Sequence, residues 1–172
     1  MKLYRAKVPT IATEIIATLV QDGDIDVEHA NFGEAEKDLV AIMEEFVRRD
    51  FEFRNAIKDH MADRGMAYGE FGRVRSKMAD ERNHPLNDDV ERFLARQFTE
   101  NMMISRFVEE VYGEDKLIYK KIFEILRSHH VDEQGIRDEA REKVKNAKEG
   151  TVDYEIALQK AVKEVKKRRG LI

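Results

Sequence analysis

The sequence contains no cysteine, no tryptophan and only two prolines among its 172 residues. Without cysteine there is no disulfide framework, no zinc–thiolate centre and no thiolate nucleophile. Because proline interrupts α-helices, the wide separation of Pro9 and Pro85 leaves room for long helices. No run approaches the roughly 18 apolar residues that span a bilayer, so the sequence predicts no membrane-spanning helix.

The N-terminal segment also lacks the features of a secretory signal. Residues 1–5 have neither an apolar stretch nor a small-residue cleavage site. By elimination, we expect a cytoplasmic protein. The net charge of −4 gives no overall basic footprint for nucleic acid. The high share of charged residues, 38%, is typical of long helices with wide solvated faces.

Apolar residues recur with helical spacing along nearly the whole chain, which predicts an all-α fold. The longest such segment extends from about Gly33 to Arg64 and is interpreted as one long helix that ends at Gly65, although the sequence leaves open whether residues 33–65 form one helix or two. Shorter helices are predicted after Pro9, around Val74, Val90 and Ile118, and from about 136 to 169 with a kink or restart at Gly150–Thr151. Two segments rich in β-forming residues, 25–27 and 107–112, are candidates for short strands.

The chain also contains a weak internal duplication. A shift of 107 positions aligns Ile11, Ile15, Ile16 and Leu19 with Ile118, Ile122, Phe123 and Leu126, and a shift of 105 aligns Arg64–Gly65 with Arg169–Gly170. The alignment predicts a long-helix bundle of two similar helix-turn-helix halves, residues 1–65 and 108–172, joined by connecting helices in residues 66–107. We expect one cooperative unit, in which segments 2–5 and 108–112 pair as a small two-stranded ribbon.

An ordered set of short motifs covers essentially the whole chain. The set comprises Lys2-Leu3-Tyr4, Val8-Pro9-x-Ile11-Ala12, Gly23-Asp24-Ile25, Tyr68-Gly69-x-Phe71-x-Arg73-Val74, Val108-Glu109-Glu110-Val111-Tyr112 and Lys167-Arg168-Arg169-Gly170. Together these motifs resemble the uncharacterised bacterial domain-of-unknown-function family 507. The resemblance implies a bacterial source and a single-family protein. It implies no activity, so no catalytic residue is transferred from it.

The candidate metal ligands are sparse. His129 and His130 precede Asp132 and Glu133, but neighbouring helical residues point about 100° apart and rarely reach one ion. A histidine at a helix C-terminus is explained by the helix dipole. The nearest match to a di-iron motif is Asp26-x-x-His29, in a predicted loop. The sequence therefore predicts no metal, no cofactor and no catalytic residue.

Two basic segments are the best candidates for an interaction surface. The connector after Gly65 mixes aromatic and basic residues, and the last helical turn is rich in lysine and arginine; the candidate residues are Tyr68, Phe71, Arg73, Arg75, Lys77, Lys166, Lys167 and Arg168. Such a mixture can follow a nucleic-acid backbone. The structural alternative is a loop that anchors a helix through Phe71, followed by basic residues that complement a helix dipole.

These observations favour a non-catalytic helical protein that binds a protein partner or itself. The first alternative is a nucleic-acid-binding protein, RNA more than DNA, which uses the two basic segments. The second alternative is an enzyme that uses a metal or a small molecule with carboxylates and His129 or His130.

Overall fold

The helices form where apolar residues recur every three or four positions. The computed structural model describes residues 1–145 and 151–172. Its elements are α1 (Val8–Gln21), β1 (Ile25–Asp26), α2 (Phe32–Asp63), α3 (Phe71–Arg82), α4 (Asp89–Ile104), β2 (Glu110–Val111), α5 (Asp115–Ser128), α6 (Glu133–Val144) and α7 (Val152–Arg168). The predicted all-α class is thus confirmed. No helix in the described part of the chain is long and apolar enough to cross a membrane.

The main hydrophobic core lies between α1, the first half of α2, α4 and α5. Phe98 of α4 is completely buried there, together with Leu39 of α2 and Ile118 of α5. As predicted, Pro9 occupies the first turn of α1, where its missing N–H leaves no hydrogen bond unmade. The core holds these four helices in one unit.

Helix α2 extends beyond the main hydrophobic core. Its 32 residues extend over about 48 Å, and its second half forms another apolar cluster with α3. Phe53, Ile57 and Met61 of α2 pack there with Val74 and Met78 of α3. The single long helix and its end at Gly65, which has a φ of +60°, were both predicted.

Helices α6 and α7 fold back on each other around a third apolar cluster. Ile136 and Ala140 of α6 pack there with Ala161 and Val165 of α7, and Tyr4 of the N-terminal segment enters the same cluster. The described parts of the highly charged stretch from about 136 to 169 therefore form two packed helices. The predicted kink at Gly150 lies outside the described residues. Helix α7 begins beside Thr151, whose hydroxyl accepts a hydrogen bond from the Tyr154 amide at 3.2 Å.

The predicted ribbon exists, but one of its two strands was wrong. Strand β2 lies inside the expected segment 108–112, whereas its antiparallel partner is β1 and not segment 2–5. The side chains of Leu3 and Tyr4 are already buried in two different apolar clusters, so that segment is not free to pair. The turn after α1, in which Gly23 has a φ of +75°, brings Ile25 beside Val111 instead.

The proposed duplication stays a prediction. Helices α1 and α5, which correspond in the sequence alignment, pack against each other. The corresponding second parts differ, because α2 is continuous while α6 and α7 fold back on each other.

Candidate functional site

An open groove of about 810 Å³ separates α2 and α3 from the N-terminal segment and the start of α6. Helix α2 forms one wall through Val47, Phe51 and Arg54, and α6 contributes Gln134 and Arg137 to the opposite side. The N-terminal segment links the two sides of the groove, because Leu3 packs in the main core and Tyr4 packs in the α6–α7 cluster.

The aromatic residues of the groove differ sharply in exposure from those of the core. Phe51 lines the groove and is 64% exposed, whereas Phe53, two residues later, is 4% exposed and packs against α3. Phe71 lines the same groove, and its ring lies 6.0 Å from that of Tyr68, which is 87% exposed. These three rings provide apolar surface to water beside the groove.

The basic residues of α3 divide into two groups. Arg75 lines the groove and makes no salt bridge with any residue that the structure describes. Arg73 instead binds Glu70 at 2.8 Å, and Lys77 lies 3.8 Å from Glu81, both on the exposed surface of their own helix. Of the eight candidate residues from the sequence, only Phe71 and Arg75 line the groove.

The C-terminal basic residues also have separate surroundings. Lys166 is mostly buried and lies 3.3 Å from Glu133, at the edge of the groove. Lys167 is exposed on the surface of α7, and Arg168 forms a salt bridge with Glu139 of α6. Lys166 and Arg168 thus join α7 to α6.

Lys2, Tyr4, Glu133 and Lys166 meet at one end of the groove. The Tyr4 hydroxyl donates to Glu133, and the Nζ atoms of Lys2 and Lys166 lie 5.0 and 5.3 Å from the centre of the Tyr4 ring. Burial lowers the pKa of Lys2, and the neighbouring Lys166 lowers it further, although Glu133 opposes both. Burial and the hydrogen bond to Glu133 raise the pKa of Tyr4. This end of the groove therefore contains a partly buried ammonium beside a second one.

The carboxylate of this cluster stays ionised. Burial alone would raise the pKa of Glu133, but the hydrogen bond from Tyr4 and the charges of Lys2 and Lys166 lower it overall. Burial would likewise lower the pKa of Lys166, but its contacts with Tyr4 and Glu133 raise it. The Glu133–Lys166 pair is consequently charged at neutral pH, and it joins the two helices that carry it.

The adjacent histidines bind different acids. His129 Nε2 lies 2.6 Å from Glu14 Oε2, whereas His130 Nδ1 lies 3.2 Å from Oε1 of the buried Glu91. Across residues 1–145 and 151–172, no three His, Asp or Glu side chains are grouped so that they could hold a metal ion. Both histidines follow the end of α5 at Ser128, and they lie beside different acids.

A second hollow of about 700 Å³ is lined by the end of α3, the loop that follows it, α4 and Tyr119 of α5. Its lining includes Arg92, which binds Asp89 at 2.9 Å, and the half-buried Phe93. None of the strongly exposed aromatic side chains lines it. The groove beside Phe51 is thus the stronger candidate for a binding site.

Most residues of the groove, including Lys2, Phe51 and Arg137, were not among the candidates from the sequence. Phe51 carried a usable signal, because it falls outside the apolar stripe of α2 that includes Phe46 and Phe53. A phenylalanine off the stripe of an amphipathic helix is expected to face solvent. No local pattern marks Lys2 or Arg137, which reach the groove only through the packing of distant segments.

A family model described as "Protein of unknown function (DUF507)" matches residues 1–171. The match covers every residue of the groove and confirms the resemblance inferred from the short motifs. A comparison with curated proteins gives no match. The function must therefore be argued from the groove itself.

Proposed function

We propose that this chain, which belongs to the DUF507 family, is a non-catalytic binding protein whose groove holds a helical segment of a protein partner. The observation that carries the proposal is the exposure of Phe51 at 64% in the wall of an open groove. Aromatic side chains are enriched where proteins bind each other, because a rigid ring buries much area at little entropic cost.

The walls of the groove favour a helix as its occupant. Helices α2 and α6 lie on its two sides, and the two-residue strands β1 and β2 pair with each other elsewhere. A partner strand would therefore find no sheet edge in the groove to extend. An amphipathic helix needs only apolar contacts along one face, which Phe51, Phe71 and the stems of the arginines supply.

Nucleic-acid binding stays the first alternative. It requires that the basic side chains of α3 and of the C-terminal turn act together. However, Arg73, Lys77 and Arg168 each pair with a carboxylate of this chain. A nucleic acid would have to replace those pairs. The enzymatic alternative has no specific support in the geometry of the described residues, and the cytoplasmic location and bacterial source stay predictions.

Photo-crosslinking from the groove tests the proposal. Benzoylphenylalanine in place of Phe51 should yield a discrete protein adduct in the cells that produce the chain. The matched control is Ile156, a 47% exposed apolar residue of α7 outside the groove, which should yield none. A second variant, Gln134→Trp, places a bulky ring in the opposite wall and should suppress the adduct at position 51.

Three results would contradict the proposal. An adduct that ribonuclease removes would identify RNA as the occupant, and equal labelling at positions 51 and 156 would show that the groove has no special role. Complete absence of adducts at position 51 would exclude a stable partner under the growth conditions used.

A further inference from the structure

The charged residues that line the groove differ in whether they have a salt-bridge or hydrogen-bond partner within the protein. Four side chains are basic (Lys2, Arg54, Arg75, Arg137) and four are acidic (Asp50, Asp88, Asp132, Glu133), so the side-chain charges cancel, and the α-ammonium of Met1, which also lines the groove, is paired with the buried Glu91. The pairing of these residues within the protein, however, leaves an excess of one sign available to a ligand.

Three of the four acids are already engaged inside the protein. Asp50 accepts from Arg54 and lies 3.3 Å from His84 Nε2. Asp132 caps α6 by accepting a hydrogen bond from the Gly135 amide at 2.8 Å, and Glu133 binds Tyr4 and Lys166. Asp88 is exposed and precedes the first residue of α4, where the helix dipole favours a negative charge.

Three of the four bases make no salt bridge among the described residues, although Lys2 lies over the Tyr4 ring and within reach of the Glu133 charge. Lys2, Arg75 and Arg137 make no salt bridge within the described parts of the chain, and only Arg54 is paired. They belong to the N-terminal segment, α3 and α6, so they approach the groove from different sides. The apolar side chains of Phe51 and Phe71 lie on the α2 and α3 side.

We infer that the helical segment held by the groove is acidic, with carboxylates that pair with Lys2, Arg75 and Arg137 around an apolar contact on Phe51 and Phe71. This inference rests on the proposed function and adds the chemistry of the partner. A carboxylate satisfies an arginine through two parallel hydrogen bonds, and it also relieves the repulsion between Lys2 and the neighbouring Lys166.

The charge of the occupant follows from this arrangement. A basic segment would place like charges beside three unpaired cations, and a neutral one would cover them without compensation. A polyanion without apolar side chains would satisfy the cations but leave Phe51 and Phe71 uncovered. The groove therefore selects a segment that is both acidic and amphipathic.

Peptide selection tests the inference on the full chain. A phage library of random peptides of about 16 residues, long enough for about four helical turns, is selected on the wild type and depleted on a Phe51→Ser variant, which removes the ring without adding charge. The peptides that survive should carry an excess of Asp and Glu over Lys and Arg, together with apolar residues at helical spacing.

Binding of the best selected peptide should then depend on the unpaired bases. We expect Lys2→Gln with Arg75→Gln to weaken its binding about tenfold in fluorescence polarisation, and high salt to weaken it similarly. Arg73→Gln is the matched control, because Arg73 lies two residues from Arg75 but binds Glu70 and does not line the groove. It should leave the affinity unchanged.

The outcomes separate the inference from the proposed function. Groove-dependent peptides without an acidic excess would overturn the inference while the docking function stands. Selected peptides that are acidic but lack apolar residues would also overturn it and indicate a polyanion site. If no peptide depends on Phe51, the proposed docking function itself fails.

Discussion

His84 and Phe53 stack inside the protein with their ring centres 4.2 Å apart. The contact joins the loop after α3 to the middle of α2, and Asp50 Oδ1 lies 3.3 Å from His84 Nε2. Burial lowers the pKa of His84, and the charges of Arg49 and Arg75 add to that effect although Asp50 opposes it. The imidazole is therefore held neutral at the centre of a packing contact.

The first prediction concerns the loss of folding stability at acid pH. Because the folded-state pKa of His84 lies below the ordinary value of about 6.5, the unfolded chain binds the proton first as the pH falls. The stabilisation from neutral His84 is complete above that value and is lost below it. Urea unfolding between about pH 7.5 and pH 5.5 should show a fall in stability that is smaller in His84→Gln. His29→Gln, at an exposed histidine, should keep the full fall.

The second prediction contrasts two phenylalanines of α2. Phe53→Ala should lower the free energy of unfolding by about 3–5 kcal/mol, because it leaves a cavity between α2 and α3. Phe51→Ala should change it by about 0.5 kcal/mol or less, because most of that side chain already faces solvent. Denaturant unfolding of both variants measures the difference, and similar losses would show that Phe51 is a packing residue.

The third prediction concerns Tyr4 as the link between the N-terminal segment and the α6–α7 cluster. Tyr4→Phe should cost about 1 kcal/mol, because it removes the hydrogen bond to Glu133 and keeps the ring. Tyr4→Ala should also speed hydrogen exchange in α6 and α7, since the ring fills their shared apolar cluster. Exchange that rises equally in α1 and α4 would contradict this local role.

The fourth prediction concerns Glu91, a carboxylate that is 3% exposed. Its Oε2 lies 3.2 Å from the α-amino group of Met1, which is buried as well. Glu91→Gln leaves that ammonium without its counter-charge, and we expect a loss of about 3–5 kcal/mol in thermal or urea unfolding. Glu124→Gln, at an exposed acid of α5, is the control and should be nearly neutral. A small loss at position 91 would mean that the pair contributes little.

The fifth prediction concerns the close approach of Gly113 to Asp24. A methyl group on Gly113 would lie 2.7 Å from Asp24 Oδ1 and 3.1 Å from the Ile118 side chain, so Gly113→Ala should cost about 1–3 kcal/mol. Gly33→Ala, in the first turn of α2, meets no atom within 4 Å and should be neutral or stabilising by up to about 1 kcal/mol. Equal melting temperatures for the two variants would contradict the crowding at Gly113.

Much of the fold could be predicted from local patterns. The spacing of Leu39, Phe46 and Ile57 located α2, and Gly65 marked its end. The pairing between segments was harder to predict from the sequence. Whether β1 or segment 2–5 pairs with β2 depended on where Leu3 and Tyr4 became buried. No property of segment 2–5 alone contains that information.

The residues of the candidate groove were predicted only in part, for the same reason. The mixture of aromatic and basic residues indicated the segment that contains Phe71 and Arg75, but it did not separate Arg75 from Arg73. The two differ because one side of α3 lies against the groove and the other lies beside Glu70. The groove also needs Lys2 and Arg137, which are 135 positions apart in the chain.

The sequence by itself determined the helical class, the limits of the long helix and the family, because helix periodicity and short motifs are local properties of a chain. The tertiary structure decided which charges are paired and which face the groove. That depends on contacts between distant segments, such as Glu133 with Lys166 and Glu139 with Arg168, which pair some charged side chains and leave Arg75 and Arg137 without a salt bridge in the described chain.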